Sequence, residues 1–168
     1  MPLTTKLLVD LDADYTSALD LSTSENRLRY TRQIALATGT ATGQADKVWS
    51  DTRTLTASAT EDIDLTGTLI DAFGATLTLA RVKGLVIFAS SANTNDVVVG
   101  NASSNGWVGP FGAATHTLAV RPGGLLCLFA PGATGYTVVG GTGDLLHVAN
   151  SAGGSSVTYD VVVIGASA

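Results

Sequence analysis

The sequence predicts an all-β fold: a β-sandwich or barrel over residues 45–168 behind an N-terminal arm over residues 1–44. Three observations lead there. Short apolar or alternating segments recur along 47–168, separated by clusters of Gly, Asn, Ser and Pro. Nothing in the chain alternates strand-like segments with long helical ones, so an α/β sheet is not expected. Charge is also spread unevenly: of 9 basic and 14 acidic side chains, residues 84–168 hold only Asp96, Arg121, Asp144 and Asp160. A surface of Ala, Gly, Ser, Thr and Asn repels its neighbours weakly and suits packing against other protein, where a free monomer ordinarily carries mixed charges.

The arm comes first. Leu7–Leu11 fits a short strand, and Asp14–Glu25 is polar and turn-like. Arg27–Leu36 alternates partly and fits a strand or a short helix, and Thr38–Gly43 has the composition of a hinge. From residue 47 onward the segments become regular. Val48–Leu55 leads into Glu61–Leu65, whose period of two marks a half-buried strand. Leu77–Val82 and Thr115–Val120 alternate in the same way. Leu85–Phe88 and Leu125–Phe129 are continuous apolar runs, consistent with strands buried on both faces. Asp96–Gly100 follows a turn at Asn93–Asn95, and Arg121–Gly124 makes another, with Pro122 presetting φ and glycine allowing φ > 0. Tyr136–Val139, Leu145–Val148 and Val157–Ile164 complete the set. Only Leu69–Phe73 fits a helical turn.

Composition excludes several classes. At 168 residues the chain is long enough to bury a core. Its net charge is −5 and its basic residues are few, so no nucleic-acid partner is expected. Arg27, Arg29 and Arg32 form the one basic cluster, a candidate for salt-sensitive contacts with a partner. No run of about 18 apolar residues predicts a membrane span, and Met1–Lys6 lacks the pattern of a secretory leader. The single Cys127 lies in an apolar run and reads as a small core residue.

Candidate chemistry is sparse. His116 and His147 each fall on a strand, but no G-x-S-x-G nucleophile elbow accompanies them. A structural or surface role is the better reading of both, so no catalytic residue is expected and the chain is not expected to be an enzyme. Asp10, Asp12 and Asp14 have the alternation of a calcium loop. Tyr15 and Leu21 stand where that loop needs Gly and an acid, so a solvated acidic strand face is expected instead. Glu61, Asp62 and Asp64 form a second acidic set, with Asp62 and Asp64 on one face. The first set makes no metal site and the second offers at most a weak divalent one; Gly39–Gly43 and Gly140–Gly143 are turns lacking the context of a phosphate or dinucleotide loop, so no metal or cofactor is expected. The most distinctive loop is Asn101–Gly112. Its Trp107 and Phe111 either anchor a binding partner or fold back to cap the sandwich.

Asp51–Leu55, Asn93–Gly100, Val120–Gly124 and Val157–Gly165 together resemble small virion proteins of tailed bacteriophages, over about 120 residues. The resemblance lies in short phrases and carries no site residues over. It implies a jelly-roll-like β-sandwich with an extended N-terminal arm. It implies a symmetric oligomer such as a homotrimer, bound to the major capsid protein as a capsid decoration, or cement, protein. The location implied is the virion, assembled in the host cytoplasm. The alternative is a receptor-binding, fibre or other tail-associated module that meets a host-surface glycan or protein.

Overall fold

The computed structural model describes residues 2–168. Its strands are β1 (Thr5–Ala18), β2 (Thr23–Thr38), β3 (Gln44–Ala45), β4 (Lys47–Leu55), β5 (Thr60–Asp64), β6 (Thr66–Ile70) and β7 (Thr76–Thr78). They continue with β8 (Arg81–Ala89), β9 (Val97–Gly100), β10 (Thr117–Val120), β11 (Leu125–Phe129), β12 (Tyr136–Thr137), β13 (Leu145–Asn150) and β14 (Val157–Ala166). No helix occurs among the described residues.

Eight of these strands make two antiparallel sheets. The larger runs β4-β14-β8-β11, with β12 added on β8, and the smaller runs β5-β13-β9-β10. Consecutive strands of the eight change sheet at each step except β9 to β10, which form a hairpin. That order is the eight-stranded jelly roll with its two Greek keys. The all-β sandwich read from the strand pattern is therefore the observed fold.

Alternation decides which side chains meet between the sheets. On β14, Val157, Tyr159, Val161 and Val163 point inward, and on β8 Leu85, Ile87 and Ala89 stand beside them in register. From the smaller sheet come Ile63, Val97, Val99, Leu146 and Val148, all within one core cluster. Burying each such side chain fully contributes about 1.5–3 kcal/mol. One polar link crosses the core: the Tyr159 hydroxyl donates to the carboxylate of Glu61. A bulge where β14 passes Ile164 and Gly165 leaves Lys83 unpaired in β8. Lys83 is wholly buried, and its ammonium donates to the carbonyls of Gly132 and Ala133.

The arm is a long hairpin rather than a short strand and a turn. β1 and β2 pair from Thr5↔Leu36 to Ala18↔Thr23. The polar stretch Asp14–Glu25 thus extends the ladder to a tight turn, closed by the Leu19 N–H on the Ser22 carbonyl at 2.8 Å. Leu69–Phe73 is likewise no helix. Leu69 and Ile70 end β6, and the Asp71 carboxylate accepts from the Phe73 and Ala75 N–H groups at 2.9 Å each, making a turn into β7.

At its root the hairpin sits on the larger sheet's outer face. Leu36, Ala45 and Ile164 form a second small core with Leu3, Phe129 and Val162 against it. Gly84 makes room for this: a Cβ there would lie 2.6 Å from the Phe129 ring. β3 pairs with the end of β2, Thr38 donates to the Leu3 carbonyl at 2.7 Å, and the Gly43 N–H reaches the Pro131 carbonyl at 2.8 Å. The arm thus leaves the sandwich from a fixed base.

Stability should reside in the sandwich. Ile87→Ala, which empties a fully buried site, is expected to lose about 2–5 kcal/mol in urea unfolding. Leu21→Ala, at the fully exposed turn of the arm, is expected to change it by less than about 0.5 kcal/mol.

Candidate interaction surface

The hairpin has two unlike faces, because side chains alternate along each strand. On one face Asp10, Asp12 and Asp14 oppose Thr31, Arg29 and Arg27 in register. Arg29 reaches Asp12 at 2.5 Å, Arg27 reaches Asp14 at 3.2 Å and Glu25 at 3.1 Å, and Thr31 donates to Asp10 at 2.8 Å. The acidic alternation is thus a solvated strand face, partly offset within the arm by Arg27 and Arg29. The other face carries Leu7, Val9, Leu11, Ala13 and Tyr15 opposite Ile34, Arg32, Tyr30, Leu28 and Asn26. Val9, Leu11, Tyr15, Leu28 and Tyr30 are all exposed. They form one stripe that continues into the buried Leu36 at the root.

A second apolar surface lies on the larger sheet. Leu85–Phe88 is buried on one face only, and Leu125–Phe129 is at most half-buried, with Leu126 and Leu128 packed against the core. Their outward side chains Val86, Phe88, Leu125 and Cys127 stand in two adjacent rows, with Val162 of β14 beside Val86. Leu125 is 63% exposed and Phe88 40%. Cys127 is half-buried on this outer face, not in the core, because β11 is an edge strand and its alternate side chains leave the sandwich. Burial raises its thiol pKa.

The Asn101–Gly112 loop folds back on the sandwich. Trp107 is 3% exposed, donates from Nε1 to the Thr137 carbonyl at 3.0 Å, and meets the Tyr136 ring edge-on. Its ring is a cap on the core and offers no free face. Phe111 packs partly against the same core and lines a shallow groove with His116 and Leu118. His116 lies in the turn before β10, not within a strand.

The titratable groups are engaged in structure. His147, on the outer face of the smaller sheet, has its Nδ1 2.6 Å from the Asp62 carboxylate. No hydroxyl is hydrogen-bonded to His147 among the described residues, so there is no Ser-His-Asp arrangement around it. The Asp144 carboxylate accepts from the Thr66 hydroxyl at 2.7 Å and the Gly141 N–H at 2.6 Å, and these bonds hold its pKa below the usual carboxylate range. Asp64 accepts from the Thr66 N–H at 2.7 Å. Among the described residues no three His, Cys, Asp or Glu side chains converge as metal ligands. Sequence reasoning missed the two apolar surfaces. The alternation within 5–36 was the signal for the arm's stripe, once β1 and β2 are placed in register, and the apolar runs Leu85–Phe88 and Leu125–Phe129 were the signal for the other.

Comparison with known proteins finds no family model, no curated protein and no solved structure that matches this chain.

Burial, then the hydrogen bond to Glu61 and its charge, push the Tyr159 phenol far above its ordinary pKa. The folded state holds this proton more tightly than the unfolded chain. Its contribution to stability is therefore full below about pH 10, the unfolded value, and is lost as pH rises above it. In an alkaline titration followed by phenolate absorbance, Tyr159 should ionise only as the protein unfolds. Ionisation of every tyrosine while the fold persists would contradict the buried assignment.

Proposed function

We propose that this chain is a structural virion protein, a capsid decoration (cement) protein of the tailed-phage type that acts as a symmetric homo-oligomer. The observation that carries the reading is the pair of uncovered apolar surfaces on a charge-poor jelly roll: the arm's stripe and the outer face of the larger sheet. A cement protein bridges subunits through broad neutral contacts and needs no reaction centre. Fold alone does not specify a role. The resemblance of the strand and turn phrases to small phage virion proteins supplies the class, and the apolar surfaces supply the reason for assembly. Arg27 and Arg29 spend their charge inside the arm, which leaves Arg32 as the arginine of that cluster available to a partner. The reading includes no enzymatic activity and no nucleic-acid contact.

One observation favours the second reading, a fibre or receptor-binding module. The groove beside Phe111, His116 and Leu118 joins an aromatic ring to polar groups, as sugar-binding surfaces do. It is shallow and open to solvent on one side. In that reading Phe111→Ala, not Trp107→Ala, is the informative variant, because Trp107 supports the core.

Reconstruction of intact particles tests the choice. The cement reading expects the chain on the head shell, at a fixed ratio to the major capsid protein. Density confined to tail or fibre would contradict it.

A further inference from the structure

We propose that the arm of one copy lies, apolar stripe down, on the outer face of the larger sheet of a second copy, with Arg32 set against Asp160. This deepens the oligomeric part of the proposed function and rests on that reading.

The two surfaces match in chemistry. The stripe from Leu7 to Tyr15 and from Leu28 to Leu36 carries one charged side chain, Arg32. The outward positions of the larger sheet between Thr158 and Ile164 carry one as well, Asp160. Arg32 forms no ion pair among the described residues: it donates to the Thr31 carbonyl at 2.8 Å and rests 4.6 Å from the Tyr30 ring centre. Asp160 meets no cation either, accepting only from the Thr52 hydroxyl at 2.6 Å. A lone cation on one apolar surface and a lone anion on the other are complementary. The other strand charges of the arm sit on its opposite face, where Arg27 and Arg29 pair with Asp14, Glu25 and Asp12, and do not oppose the contact.

The root of the arm already displays this packing mode. Leu36 of the stripe is buried against Ile164, Val162 and Phe129 of the outer face. Beyond that contact the hairpin departs. Its stripe and the neighbouring Phe88 and Leu125 are left exposed in the same molecule, with Val86 and Cys127 half-buried beside them. Each copy therefore has one donor and one acceptor surface.

The shorter acceptor face limits the size of the contact. A ladder of 14 residues per strand is about 47 Å long at ~3.4 Å per residue. The acceptor face is about 19 Å across its four strands and about 33 Å along the ten residues of β14, so a side-chain strip ~10 Å wide buries roughly 400–700 Å² in total, counting both partners. In a reciprocal pair two such contacts form one interface of roughly 800–1,300 Å², at the low end of the range of specific interfaces, and in a ring each interface holds one. A two-stranded ribbon is also marginal by itself in water, which favours a state in which its apolar face is covered. Donor and acceptor surfaces differ, so the contact is either exchanged reciprocally in an isologous pair or repeated heterologously in a closed ring.

Charge exchange tests the inference on the full chain by sedimentation velocity. The native chain is expected to be oligomeric. R32E or D160R alone, which sets like charges together, is expected to raise the dissociation constant at least ten-fold. The R32E/D160R double variant is expected to return it to within about three-fold of the native value. Both side chains are exposed, and recovery in the double variant separates lost association from lost folding. A native chain that is monomeric at about 100 μM, an oligomer indifferent to the single changes, or a double variant that stays dissociated overturns the proposal. Decorated particles bearing monomeric chains would overturn the arm exchange and leave the virion role standing. A charge-swappable oligomer that is absent from particles would do the reverse.

Discussion

Strand β14 lies between β4 and β8, and its inward side chains meet the opposite sheet through Val157, Tyr159, Val161 and Val163. The rest of the structure depends on that contact. It ties the last strand to β4, the first of the jelly roll, so the eight-stranded unit is closed across nearly its whole sequence. Two stacked sheets have only one shared interior, and a period of two sends every other side chain away from it. What those outward side chains are then becomes the informative question. On β14, β8 and β11 they include Val162, Val86, Phe88, Leu125 and Cys127, which solvent alone would not select.

The arm repeats this arrangement outside the sandwich. Its polar face carries cross-strand ion pairs, each exposed and worth little in stability. The apolar face has no second layer beyond Leu36 and Ile34. A hairpin so built gains little by standing alone and much by being covered. The same holds for the larger sheet's outer face. The low charge of residues 84–168 belongs with this division, since few ionic groups have to be desolvated when broad surfaces meet.

Much of the sandwich is legible in the sequence. Segments such as Glu61–Leu65 and Val157–Ile164 announce their faces by alternation, and Arg121–Gly124 announces its turn by Pro and Gly. The arm was less legible for a physical reason. Asp14–Glu25 contains no Gly or Asn-Gly turn signal, and its strand character comes from cross-strand partners such as Asp14 and Arg27, which are invisible until the register is known. The continuous runs Leu85–Phe88 and Leu125–Phe129 read as buried on both faces, whereas the single chain covers only one. Trp107 illustrates the opposite ambiguity. A loop tryptophan serves equally as anchor or cap, and only its bond to the Thr137 carbonyl identifies the cap.

The central claim is that the arm and the outer face of the larger sheet are unfinished surfaces in the isolated chain. Hydrogen exchange of the backbone amides, followed from dilute monomer to assembled protein, tests it most directly. The account predicts fast exchange along β1 and β2 in the monomer, strong protection there on assembly, and little change in β14, which is protected throughout. Arm amides that are already as protected as those of β14 in the dilute monomer would contradict it.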